Sequence, residues 1–104
     1  MDDTKESFGR NLEAARVAAG SPSYRSLERE AIRALGFAPS NTTIANYHHG
    51  EIDPARASLE LVVWLAWRYG VALSDLSETI AERFRGAREV LVASTGWLTR
   101  SAAA

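Results

Sequence analysis

Four glycines divide this chain, and each follows a stretch with the period of an α-helix. Before Gly20, residues 5–18 carry a stripe of Phe8, Leu12 and Ala15 that continues to Ala19. Before Gly36, residues 24–34 carry Tyr24, Leu27 and Ala31, with Leu35 just beyond. Before Gly50, residues 42–48 carry Ile44 and Tyr47. Before Gly70, residues 59–69 are apolar almost all round, with Leu59, Leu61, Val62, Val63, Trp64, Leu65 and Trp67. Apolar residues three and four apart share one helical face, and a glycine just past such a stripe ends the helix. Ser23, Ser58 and either Ser40 or Asn41 stand where N-caps are needed. The pattern predicts four helices joined by tight turns, with the fourth in the middle of the fold. Ser21 and Pro22 begin one turn. Phe37, Ala38 and Pro39 form another, whose Phe37 is expected to plug the core.

A fifth helix is predicted from near Ser74 to residue 93, with Leu76, Ile80, Phe84, Ala87 and Leu91 on one face. Alternatively "EVLVA", 89–93, forms a short strand, with Gly86 as the point of change. No alternating strand pattern precedes residue 89, and no internal repeat occurs. The expected fold class is therefore all-α: a compact bundle of about five helices with a C-terminal helix, or helix plus short strand, as an extension.

Composition narrows the function. The chain has 104 residues, the size of one small domain, with 46% hydrophobic and 24% charged residues, an ordinary globular balance. It has no cysteine, which excludes disulfides and thiolate metal sites. Residues 1–20 lack a basic start followed by an apolar run, and the apolar stretch 59–66 is too short to span a bilayer. The expected setting is a bacterial cytoplasm, with no membrane partner. The formal net charge is −1, which counts mildly against nucleic acid as a partner. The arrangement of charge argues the other way. Arg25, Arg29 and Arg33 recur every four residues along the second helix, where like charges repel by roughly 0.2–0.5 kcal/mol per pair. An external polyanion would neutralise such a row. The plainer alternative is a solvated face balanced by Glu28 and Glu30.

Helices two and three, joined by a turn, have the shape of a helix-turn-helix. The run "TIANYHHG", 43–50, resembles the end of the recognition helix in the Cro/repressor helix-turn-helix family. "FGRNLEAARVAAG", 8–20, resembles that family's first helix, including an arginine at Arg16. "ASLELVVWLAWRYGVALSDL", 57–76, resembles its fourth helix and the following turn. The resemblance covers residues 8–77 and implies a DNA-binding domain over 1–77, with 78–104 as an extension for packing or dimerisation. The sequence departs from the pattern twice. Leu27 and Ile44 lie seventeen positions apart (44 − 27), more than the family usually has. His48 stands where the family often has a glutamate that pairs with the helix-one arginine. Arg16 is therefore expected to find Glu13, Glu51 or a phosphate.

A recognition helix presents its N-terminal residues to base edges in the major groove. Ser40, Asn41 and Thr42 are short, polar and able to donate or accept. Ala45 and Asn46 lie one turn on and face the same way. Asn46 suits a bidentate bond to adenine, and Ala45 suits a thymine methyl. Ile44 and Tyr47 should pack inward. Arg10, Ser23, Arg25, Arg29, Arg33, His49 and Arg56 are the expected phosphate contacts. Protonation would strengthen the His49 contact in mild acid. The alternative for 40–50 is a capped helix with a merely polar outer face.

Other chemistry finds little in the sequence. Zinc needs three or four ligands, and His48 and His49, about 100° apart around a helix, do not chelate together. No metal, cofactor or small-molecule ligand is expected. No nucleophile motif, phosphate-cradling glycine loop or carboxylate pair suggests an enzyme. Trp64 and Trp67 suit the core or a dimer surface. Ile80, Phe84, Leu91 and Trp97 form a candidate packing or dimerisation surface, and a second copy is the candidate protein partner. The resulting expectation is a sequence-specific repressor of double-stranded operator DNA, resembling temperate-phage immunity repressors and acting on the host nucleoid. Two alternatives stand beside it. One is an antitoxin that binds its own promoter and a toxin through 78–104. The other is a protein-interaction module without specific DNA binding.

Overall fold

Thr4, Ser23, Ser40 and Ser58 each stand one residue before a helix. Each side-chain oxygen accepts a hydrogen bond from the backbone N–H three residues on, at Ser7, Ser26, Thr43 and Leu61. Those donors have no partner inside the helix, and losing such a cap typically costs about 1 kcal/mol. The computed structural model describes residues 3–95, with side chains over 3–87. The helices are α1 (Lys5–Ala18), α2 (Tyr24–Leu35), α3 (Asn41–His48), α4 (Leu59–Tyr69), α5 (Leu73–Leu76) and α6 (Glu78–Thr95). No strand occurs among the described residues, so the fold is all-α.

Helices α1 and α4 keep the bounds that their stripes predict. Helix α2 gains Leu35 at its end, and α3 gains Asn41 at its start because Ser40 is the cap. The long separation of Leu27 from Ile44 has two sources. Helix α2 runs eight residues past Leu27 (35 − 27), and the connection to α3 takes five residues (40 − 35). A helix-turn-helix usually has a turn of about 3–4 residues.

Two expectations need correction. The helix predicted over 74–93 is two helices. Ser77 is extended, at φ −167° and ψ 129°, and separates α5 from α6. Its Oγ accepts from Ile80 N at 3.1 Å, and it also donates to Asp3 Oδ2 at 2.9 Å. Asp3 Oδ2 accepts from Thr79 N at 2.6 Å. The start of α6 is thus capped locally by Ser77 and from the far end of the chain by Asp3. Partial burial would raise the Asp3 pKa, but the bonds from Thr79 and Ser77 outweigh it and hold the carboxyl below its usual value. Residues 89–93 lie within α6 and form no strand.

The second correction is Phe37, which is 46% exposed and does not plug the core. Gly36 ends α2 in the left-handed conformation, at φ 83°, and the chain turns away there. The space between α2 and α3 is already filled by Leu27, Ala31 and Ile44, each fully buried.

The core joins all of these elements. Phe8 and Leu12 of α1, Leu61, Trp64 and Leu65 of α4, Leu76 of α5 and Ile80 of α6 belong to one buried cluster. Trp64 is 1% exposed, whereas Trp67 on the other side of α4 is 55% exposed. Ile80 therefore packs within this molecule, and Phe84 lies half-buried against the same cluster. Leu91 lies in α6, but its side chain falls outside the described residues, as does all of Trp97. The loop after α3 is held from two sides. Tyr47 Oη accepts from Ser58 N at 2.9 Å, and Arg83 Nη1 donates to Pro54 O at 2.6 Å.

Candidate nucleic-acid interface

The site is built around α3, which packs on both α1 and α2. Its C-terminal end meets α1 with no room for a side chain. A Cβ placed on Gly9 would lie 2.4 Å from Gly50 N and 2.5 Å from Gly50 Cα. Both neighbours are backbone, so glycine at position 9 allows this approach and alanine does not. Gly50 itself has φ 81°, a conformation that L side chains rarely adopt.

The inward face of α3 is Ile44, Tyr47 and His48, all buried. His48 is 3% exposed. Its Nδ1 lies 2.8 Å from Ile44 O, and its Nε2 lies 2.8 Å from Tyr69 Oη. A carbonyl only accepts, so Nδ1–H is the donor there, and since burial disfavours a second proton on the ring, Nε2 accepts from the Tyr69 hydroxyl. These partners assign the neutral tautomer. Burial pushes the His48 pKa down, against the bond to Ile44 O and the charge of Glu13, which favour the proton. Burial likewise raises Tyr69 well above its usual value.

Arg16 has its expected carboxylate partner. Nε and Nη2 donate to the two oxygens of Glu13 at 2.9 and 2.6 Å, and Nη1 donates to Pro22 O at 2.9 Å. The guanidinium lies 4.7 Å from the centre of the Tyr24 ring. The Arg16 bond is the main reason that Glu13 is held below its usual pKa. Tyr24 Oη donates to Glu13 Oε1 at 3.1 Å. Having given its proton there, it accepts from His49 Nε2 at 3.4 Å. A polar chain thus runs from Arg16 on α1 through Tyr24 on α2 to His49 at the end of α3.

The outward face of α3 carries Thr42 and His49, both exposed, with Ala45 and Asn46 half-buried between them. These four share one side by helical spacing; the sequence predicts Thr42, Ala45 and Asn46 there together with Asn41, and gives His49 as a phosphate contact. The Asn46 side chain has no hydrogen-bond partner among the described residues. Ser40 is exposed, and its Oγ also lies 3.2 Å from Thr43 Oγ1. Asn41 is drawn aside: it is half-buried, and its Nδ2 donates to Glu28 Oε1 on α2 at 3.3 Å.

The candidate phosphate contacts are spread over five places, one of them the exposed His49 at the end of α3. Ser23 is exposed at the α2 cap, and Arg25, Arg29 and Arg33 are exposed along α2. Arg10 is exposed on α1, and Arg56 is exposed in the loop after α3. None of these five arginine side chains makes an ion pair or hydrogen bond with another described residue. The nearby carboxylates make their close contacts elsewhere, though the Arg33 charge also helps hold Glu30 below its usual pKa. Glu13 holds Arg16, and Glu30 holds Arg68 Nε at 2.7 Å and Ser26 Oγ at 3.1 Å. The formal charge of −1 thus conceals a set of unmatched cations.

Among the contacts that the sequence does not announce are Glu28–Asn41, His48–Tyr69 and Gly9–Gly50. Each joins residues far apart in the chain, and no local pattern marks such a pair. Among the described residues no group of three His, Cys, Asp or Glu side chains could hold a metal ion. A shallow cavity of about 170 Å³ lies among Asp3, Ser7, Asn11, Ser74 and Ser77 and includes no α3 residue. Ligand pockets commonly hold about 300–1,000 Å³. No described helix is long and apolar enough to cross a membrane. The chain matches no protein-family model, no curated protein and no solved structure.

Proposed function

We propose that this protein is a sequence-specific repressor of the Cro/repressor helix-turn-helix type, which binds double-stranded operator DNA with α3 in the major groove. The outward face of α3 carries the proposal. Thr42, Ala45, Asn46 and His49 are small or polar and accessible, while Ile44, Tyr47 and His48 fix the opposite face to the rest of the molecule. Such a face can lie against base edges without unfolding anything behind it. The five unpaired arginines supply positive charge for phosphates. Repression follows by occlusion, since a protein seated on a promoter excludes the polymerase. A dimer would place two such helices about 34 Å apart, in successive major grooves.

The test is selection from a randomised duplex pool near 0.15 M salt, followed by titration of the enriched sequence at several salt concentrations. One enriched motif is expected. If all five arginines meet phosphates, log K falls against log salt with a slope of about −4 to −5. Binding with a comparable slope but no motif would refute sequence-specific recognition.

A further inference from the structure

The structure assigns Ile32 and Phe37 a role that the sequence did not foresee: an apolar contact to thymine C5-methyl groups of the bound duplex. This rests on the DNA reading and names one base class that the site selects.

Two large apolar side chains stand in solvent at the α2–α3 junction, Ile32 at 47% and Phe37 at 46% exposure. Burying either would normally be favourable, and the core offers neither a place. Their position is defined by a neighbouring contact. Glu28 and Ile32 lie four residues apart and share one row of α2, and the C-cap Gly36 follows four residues on. Glu28 reaches Asn41 at 3.3 Å, so this row runs beside the first turn of α3. That turn is the part of a recognition helix that reads base edges.

Charge narrows the choice of occupant. Ile32 has Arg29 three residues before it and Arg33 just after it, and neither is ion-paired among the described residues. A second copy docked here would set arginines against arginines, which like charge opposes. A DNA duplex brings phosphates to the arginines. In its major groove the apolar group on offer is the thymine methyl. An apolar pair flanked by unmatched cations fits that combination.

The experiment uses the full chain and the duplex enriched by selection. Each thymidine is replaced in turn by deoxyuridine, which removes one methyl and nothing else. The unaltered protein should lose about four-fold in affinity at one or two positions. Phe37→Ser should bind the parent duplex on the order of ten-fold more weakly and should be indifferent to at least one of those replacements, any other being left to Ile32. A flat uridine scan with the unaltered protein overturns the inference, and that arm needs no variant to fold. Equal binding by Phe37→Ser also overturns it, while DNA binding itself stands. Failure to enrich any duplex refutes the DNA reading and this inference together. A dimer of the unaltered chain that Phe37→Ser dissolves would reassign the patch to self-association and overturn the thymine contact.

Discussion

The two ends of α3 are held by different kinds of contact. At the C-terminal end, backbone meets backbone at Gly9 and Gly50, and His48 lies buried between Ile44 O and Tyr69 Oη. Tyr47 adds a bond to the following loop at Ser58 N. At the N-terminal end, an exposed serine caps the helix and one 3.3 Å bond joins Asn41 to Glu28. The five-residue connection before it leaves Phe37 in solvent. Water can reach the bonds of the second set, one exposed and one partly buried, and replace them at modest cost. It cannot replace close packing or the partners of a buried imidazole. The lesson is that α3 is held most firmly at its C-terminal end, while its outward face, with the first turn least restrained, is what our reading directs at DNA.

The comparison breaks first if Gly9→Ala is harmless. An added Cβ must force α1 and α3 apart, a net loss of about 2–4 kcal/mol even after the gain of about 1 kcal/mol in helix propensity. Urea unfolding measures it, and an unchanged midpoint would mean that the contact is not tight.

Tyr69→Phe comes next. It strips the donor from buried His48 Nε2 and should cost about 1–3 kcal/mol. The same site gives a pH signature. The folded pKa of His48 lies below 6.5, so as pH falls through 6.5 the unfolded chain takes up a proton first. Stability is therefore complete above that range and declines as the solution becomes more acid. The slope from one proton is at most about 1.4 kcal/mol per pH unit. His48→Leu should be less stable at neutral pH, because it orphans the Tyr69 hydroxyl, and should lose that slope. An unchanged slope would place the proton uptake elsewhere.

The N-terminal end should respond weakly. Asn41→Ala removes one partly exposed bond and should cost about 0.5–1 kcal/mol. Phe37→Ser should stay within about 0.5 kcal/mol of the parent, as exposed positions do. A thermal-melting loss at position 37 as large as that at position 9 would erase the contrast between the two ends.

What the sequence disclosed and what it hid follow from range. Helix α4 was legible to the residue because stripe, cap and closing glycine agreed at Ser58, Leu61 and Gly70, and α1 because its stripe and Gly20 agreed, while its Thr4 cap went unread. The outward face of α3 was legible for the same reason, since Ile44 and Tyr47 set its opposite side. The division at Ser77 was missed because Leu76, Ile80 and Phe84 keep a helical spacing across the break. Part of the cap that makes the break stable comes from Asp3, at the other end of the chain. Phe37 was misjudged because an aromatic beside a proline carries no sign of whether the core behind it is already full. Glu28–Asn41 and His48–Tyr69 depend on how helices meet, which no periodicity reports.

The central claim is that the outward face of α3 reads base sequence. The most direct measurement is the affinity of Asn46→Ala for the selected duplex and for a shuffled duplex of equal composition. Asn46 has no side-chain hydrogen bond to lose among the described residues, so melting should be unchanged. A loss of about 10–100-fold is expected on the selected duplex and none on the shuffled one. Equal affinity for both duplexes before and after the substitution would contradict it.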